Sequence, residues 1–216
     1  MTAAVYSLDI RLVAKYERGI EERILRTSPE RAQKIKRLVR EDDRLRSLAA
    51  GILIEEIIAP REILYGPHGK PFAPGCRHFN ASHSGDFALL AVGSEPIGVD
   101  LELWRADDFL ALAALSFCPE ELAVLERDPV PQVFYDFWVL KESYVKMLGR
   151  GFSMDSRSFC VHKERNRAKV NGTDQASSAL LRLLNLPGYS AAVCSAGEEL
   201  PSEITPMDKA LCAMSR

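Results

Sequence analysis

Along the chain the apolar positions change period several times, and each change predicts an element. From Met1 to Ile10 they alternate, as in a strand with one buried face. Between Ser28 and Val39, and again between Asp43 and Ile57, they recur every three or four residues. That spacing predicts two helices, the first opened by a serine with proline at its first position. Gly85–Val92 and Ile97–Glu102 read as strands and Asp107–Leu115 as a helix. Pro119 opens another helix, and Pro129-Val130-Pro131 separates it from a longer one through Tyr135–Leu148, which ends at Gly149-Arg150-Gly151. In that helix Phe137, Leu140, Tyr144 and Leu148 form one stripe. Beyond it the runs shorten to strands at Ser158–Val161, Ala179–Leu184 and Ser190–Cys194. The polar segment Lys163–Ser178 between the first two carries Asn171-Gly172, a hairpin-type turn signal. The tail from Ser202 reads as peripheral, with a short helix at Met207–Met214. Helices leading into a small antiparallel sheet thus occur twice, without an internal sequence repeat, and the chain reads as α+β.

Polar residues that interrupt these patterns carry the candidate chemistry. Alternate residues of a strand share a face, so Asp100 and Glu102 stand about 6–7 Å apart, opposite Val99 and Leu101. Two carboxylates between apolar flanks are costly unless something compensates them. On the long helix Glu142 and Lys146 lie one turn apart, with Trp138 a turn earlier. Alone, such a pair is an ordinary surface ion pair worth about 0.2–0.5 kcal/mol. Together with Asp100, Glu102 and Lys141 it makes three carboxylates and two ammonium groups. Carboxylate oxygens suit magnesium, and neighbouring ammonium groups suit the remaining oxygens of a metal-bound phosphate, which points to a nucleotide or diphosphate substrate.

Upstream, Tyr65-Gly66-Pro67-His68-Gly69-Lys70-Pro71 reads as a turn, and Asn80-Ala81-Ser82-His83-Ser84-Gly85 as a loop at the mouth of a sheet. The loop offers hydroxyls, an imidazole and backbone N–H groups to a phosphate; it reads equally as a polar turn whose serines bond locally. Neither segment has the spacing of a P-loop or a dinucleotide fingerprint.

In this order and spacing, Tyr65-Gly66 with Gly69-Lys70-Pro71, Phe79-Asn80-Ala81-Ser82-His83-Ser84-Gly85, Ile97-Gly98-Val99-Asp100-Leu101-Glu102, and Trp138 to Lys146 leading to Gly149 and Gly151 are similar to a known family. With Gly188–Cys194 as a last core strand, the chain resembles the 4'-phosphopantetheinyl transferases of the surfactin-synthetase-activating class, over about two thirds of its length. The resemblance implies two similar α+β halves related by pseudo-twofold symmetry, divided here as residues 1–102 and 103–216, with coenzyme A in the cleft between them. It implies magnesium-dependent (or manganese-dependent) transfer of the phosphopantetheine arm of coenzyme A to a serine of an acyl or peptidyl carrier protein, releasing adenosine 3',5'-bisphosphate. Carrier proteins of fatty-acid and of secondary-metabolite synthesis both offer such a serine. By carry-over, Asp100, Glu102 and Glu142 are the metal ligands, Glu142 also the base, and Lys146 the neutraliser of the transferring phosphoryl group. Lys141 would lie on the phosphate side. Lys70, His83, Ser82 and Arg46 would meet the 3'-phosphate region, with Arg31 and Lys34 near the nucleotide, although a family example has lysine at the position of Arg31. Ser143 stands where many relatives have alanine, and Trp104 reads as core or as the rim of the coenzyme pocket. The alternatives are a metal-dependent nucleotide phosphohydrolase and a non-catalytic binding module for coenzyme A or a carrier.

Composition narrows the picture a little further. At 216 residues, 47% hydrophobic and 27% charged, with a net charge of −2, the chain is an ordinary globular mixture with no bulk attraction to nucleic acid or an anionic membrane. No apolar run reaches the length of a membrane span and the start lacks a secretory pattern, so a cytoplasmic protein is expected. Five scattered cysteines, at 76, 118, 160, 194 and 212, are expected to be reduced. One chain holding both halves of the cleft is expected to act as a monomer. Carrier selectivity is expected on Phe109–Leu125, with Phe117 as a contact.

Overall fold

The computed structural model describes residues 2–13, 22, 24, 28–60, 62–106, 109–172 and 179–207. Two antiparallel sheets lie back to back, each covered on its outer face by one long helix. The first sheet has the order β11-β1-β5-β4, from β1 (Ala4–Asp9), β4 (His78–Ser84), β5 (Phe87–Gly93) and the short β11 (Thr205–Pro206), which runs parallel to β1. The second has the order β6-β10-β9-β8-β7, from β6 (Ile97–Leu103), β7 (Cys160–Glu164), β8 (Arg167–Asn171), β9 (Leu180–Leu186) and β10 (Tyr189–Ser195). A separate hairpin pairs β2 (Leu64–Tyr65) with β3 (Pro71–Phe72).

Helix α1 (Ile10–Val13) follows β1, and α2 (Pro29–Lys36) precedes α3 (Glu41–Ile57), which packs on the first sheet. After β6 come α4 (Phe109–Ser116), α5 (Pro119–Arg127) and α6 (Pro131–Leu148), the last packed on β6, β9 and β10. Proline opens α6 and Gly149, left-handed at φ 69°, closes it, so both ends are chemically fixed. The halves share one plan: a strand, a long helix, then strands of which the last pairs antiparallel with the first, β1 with β5 and β6 with β10. By hydrogen bonding β6 belongs to the second sheet, so the sheet boundary falls one strand before the division expected at residue 102.

Strand alternation builds three cores. Ala88, Leu90 and Val92 of β5 face α3, whereas Leu89 and Ala91 meet Ile97, Val99, Leu101, Ala191 and Val193 between the sheets. Ala192 and Cys194 turn the other way, toward Leu140 and Tyr144 of α6. On β6 this leaves Gly98, Asp100 and Glu102 on the face opposite the inter-sheet core. A Cβ on Gly98 would lie 2.1 Å from the Ser143 carbonyl oxygen and 2.4 Å from the Met147 nitrogen, so the glycine lets α6 rest directly on the strand.

Three sequence expectations need correction. The Asn80–Gly85 segment is mostly strand β4; its polar residues alternate but face a second sheet rather than water. Lys163–Ser178 contains β8, so a hairpin turn at Arg165-Asn166 precedes the Asn171-Gly172 signal, which falls at the end of β8 before the antiparallel return to β9. Cys118 and Cys160 are joined as a disulfide 42 residues apart in sequence, because β7 returns to the start of α5; Cys76 and Cys194 are free. The helix expected at Met207–Met214, like Cys212, falls almost wholly outside the described residues. Among the described residues no helix is long and apolar enough to cross a membrane.

Candidate active site

The edges of the two sheets meet along β4 and β6, and side chains bridge them. Asn80 Oδ1 accepts from the Val99 N–H (2.9 Å), Ser82 donates to Asp100 Oδ1 (2.8 Å), and Ser84 donates to Glu102 Oε2 (2.8 Å). The Leu103 N–H donates to Ser84 Oγ at 3.1 Å. Hydroxyls spaced two apart on one strand therefore meet carboxylates spaced two apart on the other.

From above, α6 adds Glu142 and Lys146. The Lys146 ammonium donates to Asp100 Oδ1 (2.5 Å) and Ser82 Oγ (3.0 Å). Asp100 is 3% exposed, and its second oxygen, Oδ2, is buried without a hydrogen-bond partner among the described residues. Leaving such an acceptor unpaired costs about 1–3 kcal/mol, more for a charged group. Burial raises the Glu102 and Glu142 pKa above the ordinary glutamate value, and the charge of Asp100 raises both further. Lys146 opposes both shifts. Glu102 and Glu142 thus both feel the charge of Asp100, and a cation beside it would relieve both that repulsion and the orphaned oxygen.

Beside this cluster lies a cavity of about 440 Å³ lined by Arg31, Lys34, Tyr65, Asn80 and His83, with Gly69 and Pro71 at its wall. Partial desolvation, and then the positive charges of Lys146, Arg46 and Arg31, hold the imidazole of His83, an exposed residue of β4, below its ordinary pKa. Arg31 is held down by desolvation, and its buried Nε has no partner among the described residues. Arg46 reaches the mouth, donating to the Gly85 carbonyl (2.7 Å) and to Asp43 (2.8 Å). The cavity thus brings Arg31, whose Nε is unpaired among the described residues, together with Lys34 and His83, beside the carboxylates of Glu30 and Asp43, and its basic groups suit an anion. A larger cavity of about 580 Å³, between Arg167, Lys169 and Arg182, shares no residue with this site.

A sequence profile described as the 4'-phosphopantetheinyl transferase superfamily matches residues 96–194, which span β6 to β10. The 4'-phosphopantetheinyl transferase Sfp of Bacillus subtilis is 31% identical over 193 residues, covering 82% of this chain and 86% of that protein. The chain belongs to the 4'-phosphopantetheinyl transferase superfamily. A further relative, the 4'-phosphopantetheinyl transferase gsp of Aneurinibacillus migulanus, is 29% identical over 78% of this chain and 76% of its own. Among solved structures, the holo-[acyl-carrier-protein] synthase of Thermotoga maritima is similar at a TM-score of 0.41 and 15% identity, over 48% of this chain and 64% of that one.

For this superfamily member the structure joins Asp100, Lys146 and Ser82 by hydrogen bonds, with Glu102 two residues along β6 and Glu142 within electrostatic reach of Asp100 and Lys146, and with His83, Arg31 and Lys34 lining the adjoining pocket. Ser82 belongs to the carboxylate cluster, through Asp100, more than to the nucleotide side. Two of the lysines expected to meet phosphate, Lys141 and Lys70, do not line that cavity. Lys141 is 2% exposed and points into the second core, where its ammonium donates to both oxygens of Glu121 (2.8 Å each) and to the Phe159 carbonyl (2.8 Å). Lys70 donates to the carbonyls of Ile97 (3.0 Å) and Met147 (2.9 Å), and burial lowers its pKa to about 8. Trp104 is half-buried, packed on the second core, and its indole donates to Ser190 Oγ at 2.9 Å.

Sequence reasoning missed Ser84, Asn80 and Glu121. Ser84 had a readable signal, since its spacing from Ser82 copies that of Asp100 and Glu102. Glu121 had none, because its partners Lys141, Cys118 and Val161 converge only in the fold.

Among the described residues, the trio whose metal-capable atoms all lie within 4.8 Å of one another is Cys118, Glu120 and Cys160. Its two sulfurs are bonded to each other and are soft donors, unlike the oxygens magnesium takes. Oxygen donors of the kind magnesium takes are offered instead by the carboxylates of Asp100, Glu102 and Glu142.

Proposed function

We propose that this chain is an Sfp-type transferase that moves the 4'-phosphopantetheine arm of coenzyme A to a serine hydroxyl of an acyl or peptidyl carrier protein, releasing adenosine 3',5'-bisphosphate. The observation that carries this reading is the buried, unpartnered Asp100 oxygen set among Glu102, Glu142 and Lys146, next to an anion pocket. Asp100, Glu102 and Glu142 would hold magnesium, which would supply charge neutralisation to the transferring phosphoryl group. Arg31, Lys34 and His83, with Arg46 at the mouth, bind the nucleotide's 3'-phosphate. Ser82 holds Asp100 in place. Lys146 balances charge on the phosphoryl oxygens as they pass from one oxygen to the other. Glu142, on the face of α6 that also carries Lys146, takes the serine proton, directly or through water.

The test is a reaction of the protein with coenzyme A, magnesium and an apo carrier, followed for adenosine 3',5'-bisphosphate. Release that requires the carrier and stops on chelation supports transfer. Release without any carrier marks a phosphohydrolase instead, and coenzyme binding without release marks a binding module.

A further inference from the structure

The resemblance gives Lys70 to the 3'-phosphate, yet its side chain takes the opposite course. Lys70 closes the turn between β2 and β3, and its backbone neighbours Gly69 and Pro71 line the anion pocket while its own side chain does not. That side chain runs past Gly149, where an added Cβ would come within 3.2 Å of Lys70 Cδ. Its ammonium ends between two carbonyls, 3.0 Å from Ile97 O and 2.9 Å from Met147 O.

Each carbonyl belongs to one arm of the active site. Ile97 is the first residue of β6, three before Asp100, and Met147 follows Lys146 near the end of α6. The last carbonyls of a helix have no partner in the helix, and a cation there suits its dipole. Lys70 therefore caps α6 and ties it to the strand beneath. The second fixed point of this crossing is Gly98, under Ser143 and Met147.

Resting on the transferase reading above, we propose that Lys70 is a positioning residue that holds Glu142 and Lys146 of α6 in register with Asp100 and Glu102 of β6, and does not bind coenzyme A. Alignment of reacting groups is sensitive, and a shift on the order of 1 Å costs about a hundredfold in rate. The first half of the chain thus reaches across, through the β2–β3 turn, to fix a crossing built wholly within the second sheet and its helix.

The experiment is Lys70→Met, which keeps the stem and removes the ammonium. It is assayed with coenzyme A and with 3'-dephospho-coenzyme A, beside amide hydrogen exchange on the full chain. The expected result is a kcat about ten- to a hundredfold lower with both coenzymes. The KM for coenzyme A stays within about threefold of wild type, and the preference for coenzyme A over the dephospho form is unchanged. Exchange rises in peptides spanning 97–103 and 141–150 but not in 78–93. A KM for coenzyme A raised about tenfold, with the preference lost, would overturn the proposal, because that is the signature of a phosphate ligand; so would wild-type kcat and exchange. If Lys70→Met does not fold, Lys70→Arg, which keeps a cation and donors, is read by the same preference and exchange. Exchange needs no turnover, so it judges Lys70 even if the wild-type chain transfers nothing and the functional reading fails.

Discussion

At the scale of single residues, adjacency in sequence misled where helical geometry did not. Lys141 and Glu142 are neighbours, but consecutive helical residues point about 100° apart, so one enters the core and the other the site. Glu142 and Lys146, four apart, do share a face, as the pattern implied. The buried Lys141–Glu121 pair then carries its own prediction. Removing one partner of a buried pair leaves an uncompensated charge, so Glu121→Ala loses about 3–5 kcal/mol in urea denaturation. The active-site carboxylates act in the other direction. Burial and Asp100 raise the Glu102 pKa in the folded protein, so between its unfolded and folded values the folded state binds more protons. Its contribution to stability therefore falls as pH rises through that window and stays unfavourable at neutral pH. Glu102→Gln is expected to raise the metal-free Tm at pH 7 by a few degrees and to blunt the rise that magnesium gives wild type. An unchanged Tm in chelator contradicts this.

At the scale of elements, the crossing of α6 over β6 governs the site. Gly98→Ala would push a methyl group against the Ser143 carbonyl and the Met147 nitrogen, backbone atoms that cannot rotate away. Overpacking of this kind costs about 1–3 kcal/mol, and here it also lifts Glu142 and Lys146. The expected outcome is a folded protein with a lowered Tm and a kcat reduced more than the KM for coenzyme A, measured by steady-state assay. The apolar runs made β5, β6 and α6 legible because their burial is set by local pattern. Strand β4 was not, because Asn80, Ser82 and Ser84 read as loop residues until β6 lies beside them and takes their hydrogen bonds. The same holds for Lys70, whose acceptors are carbonyls and leave no mark in a sequence.

At the scale of the whole molecule, two copies of one plan lie back to back and the candidate site falls at their shared edge. Motif order grouped Asp100, Glu102 and Glu142 as one candidate site, while the sheet to which β6 belongs is decided by pairing with β10, close to a hundred residues on. Within the segment expected to meet a carrier, Phe109–Leu125, the exposed residues are not the one named. Phe117 is core, at 2% exposed, whereas Leu112 and Leu115 of α4 are 45% and 71% exposed. Leu115→Glu is accordingly expected to raise the KM for the carrier several-fold while the Tm and the KM for coenzyme A stay put; an unchanged carrier KM removes α4 from the docking surface. The central claim is that this cleft moves a phosphopantetheine arm with Glu142 as base, and the most direct measurement is the mass of an apo carrier after incubation with coenzyme A, magnesium and either wild-type or Glu142→Ala protein. Wild type is expected to add one arm, roughly 340 Da, and Glu142→Ala none in the same time. A carrier left unchanged by wild type, or modified equally fast by both proteins, would contradict the account.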